Sequence, residues 1–270
     1  MRPNASRWTD HETGVMRMET VVEHTVPSVL EGVRVFSTPV RNVPLQEAML
    51  AHADEVRTFA VAKRRDEHLT GRWLLQAVLE AHTSIDSNLL MVVRDEHRAP
   101  RLAYIHGVWV RTPLPSISIC HSNGRAFVAM GPPGWGLGLD AEPEDRTLAT
   151  NAFDLMASGE ELSELRSRPE AAMRSWVGKE AVQKAMGLGM HLNPRHVRLP
   201  IGMSSEKISI EHSKIQLEIW SEEGFLMALA ARAEGTVHET PEDRLLAATK
   251  SAMDADPTWG VGCNTTRNSV

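Results

Sequence analysis

Cysteine is nearly absent: the 270 residues hold two, Cys120 and Cys263. Two isolated cysteines form neither a disulfide framework nor a metal-binding pair, so a reducing, cytoplasmic setting is expected. Long apolar runs are missing as well. No stretch approaches the ~18 apolar residues of a membrane span. The opening Met1-Arg2-Pro3-Asn4-Ala5-Ser6-Arg7 lacks the apolar core of a signal peptide. Charge of one sign is not in large excess: 29 basic and 35 acidic residues give a net −6. That balance draws the chain toward neither nucleic acid nor membrane. The twelve histidines are scattered without an H-E-x-x-H arrangement, so no histidine metal site is expected. No G-x-S-x-G nucleophile elbow and no fixed-period repeat appear.

What the chain does have is a 42% apolar content, enough for one large domain or two small ones. Its most informative stretch runs from Trp135 to Met190. Trp135-Gly136-Leu137-Gly138-Leu139-Asp140-Ala141-Glu142 alternates and reads as a strand with a polar end. Residues two apart share a strand face, so Asp140 and Glu142 point the same way. Trp176-Val177-Gly178-Lys179-Glu180-Ala181-Val182-Gln183-Lys184 reads as a helix with Trp176, Glu180 and Lys184 on one stripe. If strand and helix pack together, three carboxylates converge beside a lysine. Hard divalent cations bind such oxygens and keep positions for water and phosphate. Taken singly, each motif is equally a solvated strand end or a surface ion pair.

Two further stretches carry chemistry. Lys63-Arg64-Arg65-Asp66-Glu67-His68-Leu69-Thr70-Gly71-Arg72 sets four basic residues at the head of a helix. Such a cluster holds a multiply charged phosphate, or else forms i,i+4 ion pairs on a solvated face. Cys120-His121-Ser122 closes a strand before an Asn123-Gly124 turn. Adjacent strand residues face opposite ways, which argues against a direct Ser–His pair. A first strand is expected over residues 32–37, a helix from about Leu45, and strands over 88–94, 102–110, 207–211, 215–220 and 225–231. Gly131-Pro132-Pro133-Gly134 is the best internal boundary.

These motifs resemble a known family. Gly138-Leu139-Asp140-Ala141-Glu142, then Trp176, Lys179, Glu180 and Lys184, are similar to the paired signatures of the 4′-phosphopantetheinyl transferases. The closer likeness is to the surfactin-type (Sfp-like) branch, with two tandem subdomains. The K-R-R-x-E-x-L-x-G-R run looks like that family's N-terminal signature. Cys120-His121-Ser122 stands where the family usually has S-H-S, with Cys120 replacing the first serine.

The resemblance implies an α+β fold, a pseudo-dimer of two similar subdomains, each a small, mainly antiparallel sheet on a long helix. On that reading residues 1–30 are a loose extension, 31–131 the N-terminal subdomain, 132–235 the C-terminal subdomain and 236–270 a flexible tail. The implied reaction moves phosphopantetheine from coenzyme A to a serine of an acyl carrier protein or peptidyl carrier domain. Asp140, Glu142 and Glu180 are the implied ligands of Mg²⁺, with Mn²⁺ an alternative. Lys63, Arg64, Arg72, His121, Ser122, Lys179 and Lys184 are the implied coenzyme contacts. Glu161 or Glu180 supplies the base, with Lys184 beside them; Glu161 fits the family register better than Glu160. Residues 162–199 carry seven basic and three acidic side chains, a surplus suited to an acidic partner. A monomer is expected. Two other classes use the same residues: a metal-dependent hydrolase of a nucleotide pyrophosphate, and a non-catalytic binder of carrier domains.

Overall fold

The computed structural model describes residues 20–27, 30–109, 112–233, 245–246 and 248–251. The chain runs β1 (Val22–His24), β2 (Arg34–Pro39), α1 (Ala53–Arg57), α2 (Ala62–His82), β3 (Leu90–Arg94), β4 (Pro100–Tyr104), β5 (Ser116–Ser122) and β6 (Arg125–Gly131). It continues through β7 (Gly136–Pro143), α3 (Phe153–Met156), α4 (Gly159–Ser167), α5 (Ala172–Ala185), β8 (Ser205–Ile210), β9 (Ser213–Glu222) and β10 (Phe225–Arg232).

Two four-stranded antiparallel sheets form, ordered β1-β2-β6-β5 and β7-β10-β9-β8, with β3-β4 as a separate hairpin. The connectivity repeats. In each half a strand leads into a long helix, and a later hairpin returns its last strand beside the first: β6 beside β2, and β10 beside β7. This is the expected mixed α+β architecture with two similar halves.

Strand alternation explains the layering. Val35, Phe127 and Ala129 turn to one face and pack with Leu137, Leu139, Met227 and Leu229, so the two sheets share a core. Phe36, Val128 and Met130 turn the other way onto Leu69, Trp73, Val78 and Leu79 of α2. Beyond the second sheet, Val177, Ala181 and Val182 of α5 pack on Leu217, Ile219 and Ala228. The order is therefore helix, sheet, sheet, helix. Among the described residues no helix is long and apolar enough to cross a membrane.

Several expectations shift. The extension expected over residues 1–30 already contains β1, which pairs with β2 from Val22↔Ser37 to His24↔Val35. Residues 1–19 and most of 236–270 lie outside the described residues. The helix expected from Leu45 is a single 3₁₀ turn, Leu45–Glu47, followed by the short α1. Leu45 and Met49 are exposed while Leu50 is buried, so the apolar residues there do not share one helical face. The strand expected over 102–110 stops at Tyr104, and the chain turns soon after, at Gly107 with φ +88°. Asn123 and Gly124 both have positive φ, as a tight hairpin between β5 and β6 requires.

Candidate active site

The second half gathers its carboxylates because β7 and α5 meet backbone to backbone. A Cβ on Gly138 would lie 2.5 Å from the Ala185 nitrogen and closer still to the Ala181 carbonyl oxygen. Only glycine permits that approach. It sets Asp140 against the last turn of α5, where the Lys184 ammonium donates to Asp140 Oδ1 at 2.7 Å and to the Leu139 carbonyl at 3.0 Å. Burial opposes that ammonium's charge, but Asp140, with Cys120 and Glu180 beyond it, holds the Lys184 pKa up.

Glu142, two residues on, shares the face of Asp140. Its Oε2 accepts from Ser122 Oγ at 2.8 Å and pairs with Arg146 at 2.6 Å. Glu180 is half-buried on the helix, and no ion pair to it forms among the described residues. Burial pushes its carboxyl pKa up, Lys184 opposes this, and the Asp140 and Glu142 charges add to the rise. The three carboxylates thus sense one another, but they are not closed into a ligand shell. Among the described residues no group of three or more His, Cys, Asp or Glu is drawn together tightly enough to hold a metal ion as placed.

A basic cleft of about 260 Å³ opens beside Lys184, lined by His68, Arg72, Arg94, Arg98 and His121 among others. A larger cavity of about 780 Å³ adjoins it, sharing His97, Ile117, Leu137 and Lys184. Arg72 is 3% exposed and its Nη1 has no hydrogen-bond partner. Burial lowers its pKa to about 10, with Glu55 opposing and Arg94 assisting, so it stays charged at neutral pH. α2 passes close to β5 here: a Cβ on Gly71 would meet Ile119 Cγ2 at 3.2 Å and His121 Nε2 at 3.5 Å.

The remaining expected residues divide. Lys63 and Arg64 are largely exposed, ion-paired to Glu67 at 3.9 and 3.0 Å, and do not line the cleft. As placed they form the i,i+3 and i,i+4 pairs of a helix face. His121 and Ser122 face opposite ways, as the strand requires: His121 toward Gly71, Ser122 onto Glu142. Ser122, expected to contact coenzyme, donates as placed to a carboxylate instead. Cys120, where the family has serine, is a buried core thiol whose pKa burial pushes up to about 12.

Lys179 departs most from expectation. It is fully buried and its ammonium donates to the Pro194 carbonyl at 3.0 Å, the Val197 carbonyl at 2.5 Å and Glu161 Oε1 at 2.8 Å. All three donors are spent inside the protein, so Lys179 as placed grips Glu161 rather than an incoming phosphate. Glu161 Oε1 also accepts from the Leu199 amide, while its Oε2 is buried without a partner.

Of the basic side chains expected on the surface over 162–199, two are ion-paired and two are held by carbonyls while keeping their charge. Arg166 pairs with Asp154, Arg168 with Glu164 and Glu170, and Arg174 and Arg195 donate to backbone carbonyls.

Sequence reasoning overlooked His68, Arg94, Arg98 and Glu55. His68 precedes Arg72 by one helical turn, a signal that was legible. Arg94 and Arg98 bracket the β3–β4 turn, and nothing local tied them to α2.

Comparison with known proteins bears on the carboxylate half. No curated protein matches the chain. Residues 136–230 match the family model described as the 4′-phosphopantetheinyl transferase superfamily. That span runs from β7 into β10 and contains Asp140, Glu142, Glu161, Lys179, Glu180 and Lys184, so the match supports a phosphopantetheinyl transferase.

Proposed function

We propose that the protein transfers 4′-phosphopantetheine from coenzyme A to a serine of an acyl carrier protein or peptidyl carrier domain, in the manner of the two-subdomain branch, and releases adenosine 3′,5′-bisphosphate. The observation that carries this reading is the grouping of Asp140, Glu142 and Glu180 about Lys184, which itself lines a basic cleft. Coenzyme A is the superfamily's substrate and a divalent metal its usual companion, which gives both halves of that arrangement an occupant.

The donor set fits such a metal. Carboxylate oxygens are what Mg²⁺ or Mn²⁺ takes, and the upward push on Glu180 is what a bound cation would relieve. Asp140, Glu142 and Glu180 would hold it, and bound there it would supply Lewis-acid and template chemistry to the pyrophosphate oxygens. Ser122 and Lys184 keep Glu142 and Asp140 in place.

The chain's own groups do the rest. Arg72 and His121, which line the cleft, hold the coenzyme's adenosine phosphates, and Lys63 and Arg64 join them by leaving Glu67. Lys184 steadies a phosphate oxygen as charge moves to the leaving group. The carrier serine Oγ attacks the pantetheine-bearing phosphorus, and the bond from that phosphorus to the bridging oxygen breaks. The hydroxyl proton goes, directly or through water, to a carboxylate. Glu161 is our choice, because Lys179 and the Leu199 amide occupy Oε1 and leave the buried Oε2 unpaired and free to accept a proton relayed through water. A monomer in the cytoplasm is the matching cellular form.

Mass spectrometry of an apo carrier protein incubated with coenzyme A and Mg²⁺ tests the proposal. A mass gain of one phosphopantetheine, dependent on the metal, is expected. Coenzyme A cleavage at the same rate with and without carrier would replace the transferase with a pyrophosphate hydrolase.

A further inference from the structure

Behind the basic cleft stands a carboxylate that no motif announces. Glu55 belongs to the short α1, outside the matched span. Its Oε1 meets Arg94 Nη2 at 2.5 Å, and its Oε2 lies 3.7 Å from His68 Nε2 and 3.9 Å from Arg72 Nη2. Those three residues line the cleft and Glu55 does not. The carboxylate therefore touches two of the cleft's arginines and its His68 without itself lining the cleft.

From this geometry we infer that Glu55 is a positioning residue: it holds Arg72, Arg94 and His68 as one anion-binding face, and it thereby sets the preference for a coenzyme bearing the 3′-phosphate. The inference rests on the coenzyme reading of the cleft.

The physical case has two parts. Two guanidinium groups brought to one small cleft repel, and the charge of Arg94 does act on Arg72. A shared counter-charge offsets that repulsion without occupying the ligand's place. A guanidinium also has donors on several sides. On Arg72 the Nη2 side faces Glu55, and the buried Nη1 is left without a partner. A buried unpaired donor on a charged fork is costly unless a ligand completes it, and a phosphate oxygen is the natural acceptor. α1 thus supplies the fixed half of the bonding, and the incoming phosphate the other half.

The test is calorimetric binding of coenzyme A and of dephospho-coenzyme A to wild type, Glu55→Ala, Glu55→Gln, Arg94→Ala and the Glu55→Ala/Arg94→Ala double variant. Melting temperatures confirm that each is folded. Glu55→Ala should weaken coenzyme A about tenfold, the scale of one charge-assisted bond, and leave dephospho-coenzyme A nearly unchanged. Glu55→Gln, which keeps an acceptor oxygen without the charge, should recover part of the loss. The double variant should lose little more than the worse single one, because both changes undo the same face. Coenzyme A binding to Glu55→Ala that equals or exceeds wild type would make Glu55 a mere competitor for the arginines and overturn the inference. Equal loss of both coenzymes would make it structural. Wild type that discriminates between the coenzymes while no Glu55 variant alters that discrimination sinks the inference alone. Wild type that binds neither coenzyme sinks the cleft reading and the inference together.

Discussion

Gly138→Ala adds one methyl group where α5 crosses β7. The backbone needs no change at this glycine, since its φ is not positive. The whole effect is steric. The new carbon would sit 2.5 Å from the Ala185 nitrogen and 2.9 Å from the Ala181 carbonyl carbon, against a comfortable contact of about 3.5–4.0 Å. Both neighbours are main-chain atoms of a buried helix, so no side chain can rotate away. α5 must retreat by roughly 1 Å from a sheet to which Val177, Ala181 and Val182 bind it. Overpacking of this kind costs about 1–3 kcal/mol, which for a chain of this size lowers Tm by about 2–4 °C per kcal/mol. The same retreat lengthens the 2.7 Å Lys184–Asp140 bond and parts Glu180 from Asp140. Misplacement by about 1 Å can cost ~10²-fold in rate. Scanning calorimetry and carrier-modification kinetics measure the two effects on one sample. Gly71→Ala is the control, because its added carbon meets side-chain atoms of Ile119 and His121 that can shift. The helix-propensity gain of about 1 kcal/mol offsets that contact, so Tm should barely move. If Gly138→Ala melts and turns over like wild type, the close strand–helix approach is not what assembles the carboxylates.

Three shorter predictions complete the set. Glu180→Gln removes a carboxylate with little change of shape, and turnover should fall at least ~10²-fold in a folded variant; near-normal turnover would exclude Glu180 from the site. Because the folded protein raises the pKa of Glu180, it binds that proton more tightly than the unfolded chain, so this group's contribution to stability declines as pH rises from its usual 4.5 through the raised value. Mg²⁺ should reverse that loss, so its upward shift of Tm should be larger at pH 7 than near pH 5; a metal-induced shift independent of pH would contradict the ligand assignment. His68 titrates in the opposite sense: burial first, then Arg72, lowers its pKa from 6.5 to about 4 against the pull of Glu55. The unfolded chain then binds the extra proton, and stability falls as pH drops from 6.5 toward about 4, by an amount on the order of 3 kcal/mol at most. His68→Gln should flatten that part of the stability profile in urea-unfolding measurements, and an unchanged profile would refute the assignment.

The part of the site that was legible in the sequence is the part carried by regular elements. The alternation around Asp140 fixes one strand face, and the spacing of Trp176, Glu180 and Lys184 fixes one helix stripe. Because the period of each element dictates direction, the side chains could be aimed before their neighbours were known. The close approach at Gly138 then brought the two faces together. Contacts that join distant elements were beyond that kind of reading. Glu55 lies in a five-residue helix with no apolar stripe, and Arg94 ends a strand in another sheet. Nothing in either local pattern states that they touch. Lys179 also makes contacts between distant elements that its local pattern does not state. Its place in a signature invited a phosphate contact, yet it sits one residue off the Trp176–Glu180–Lys184 stripe. That rotation carries it inward to the carbonyls of Pro194 and Val197.

Apart from Glu180, the carboxylates of the site are already matched in pairs, and this bears on how ligands enter. Asp140 is answered by Lys184, Glu142 by Arg146, Glu55 by Arg94, and Glu67 by Lys63 and Arg64. Each pairing keeps a group in place at little net charge. A coenzyme arriving alone would bring several negative charges to a site whose carboxylates are close by. A divalent cation arriving alone would compete with Lys184 and Arg146 for their partners. Arriving together, the two largely cancel: the cation answers the carboxylates, and the phosphates answer the arginines. On the proposed function, the pairing of acidic face and basic cleft across Lys184 would favour metal and coenzyme as joint ligands. By linkage, each should strengthen the binding of the other by the same factor.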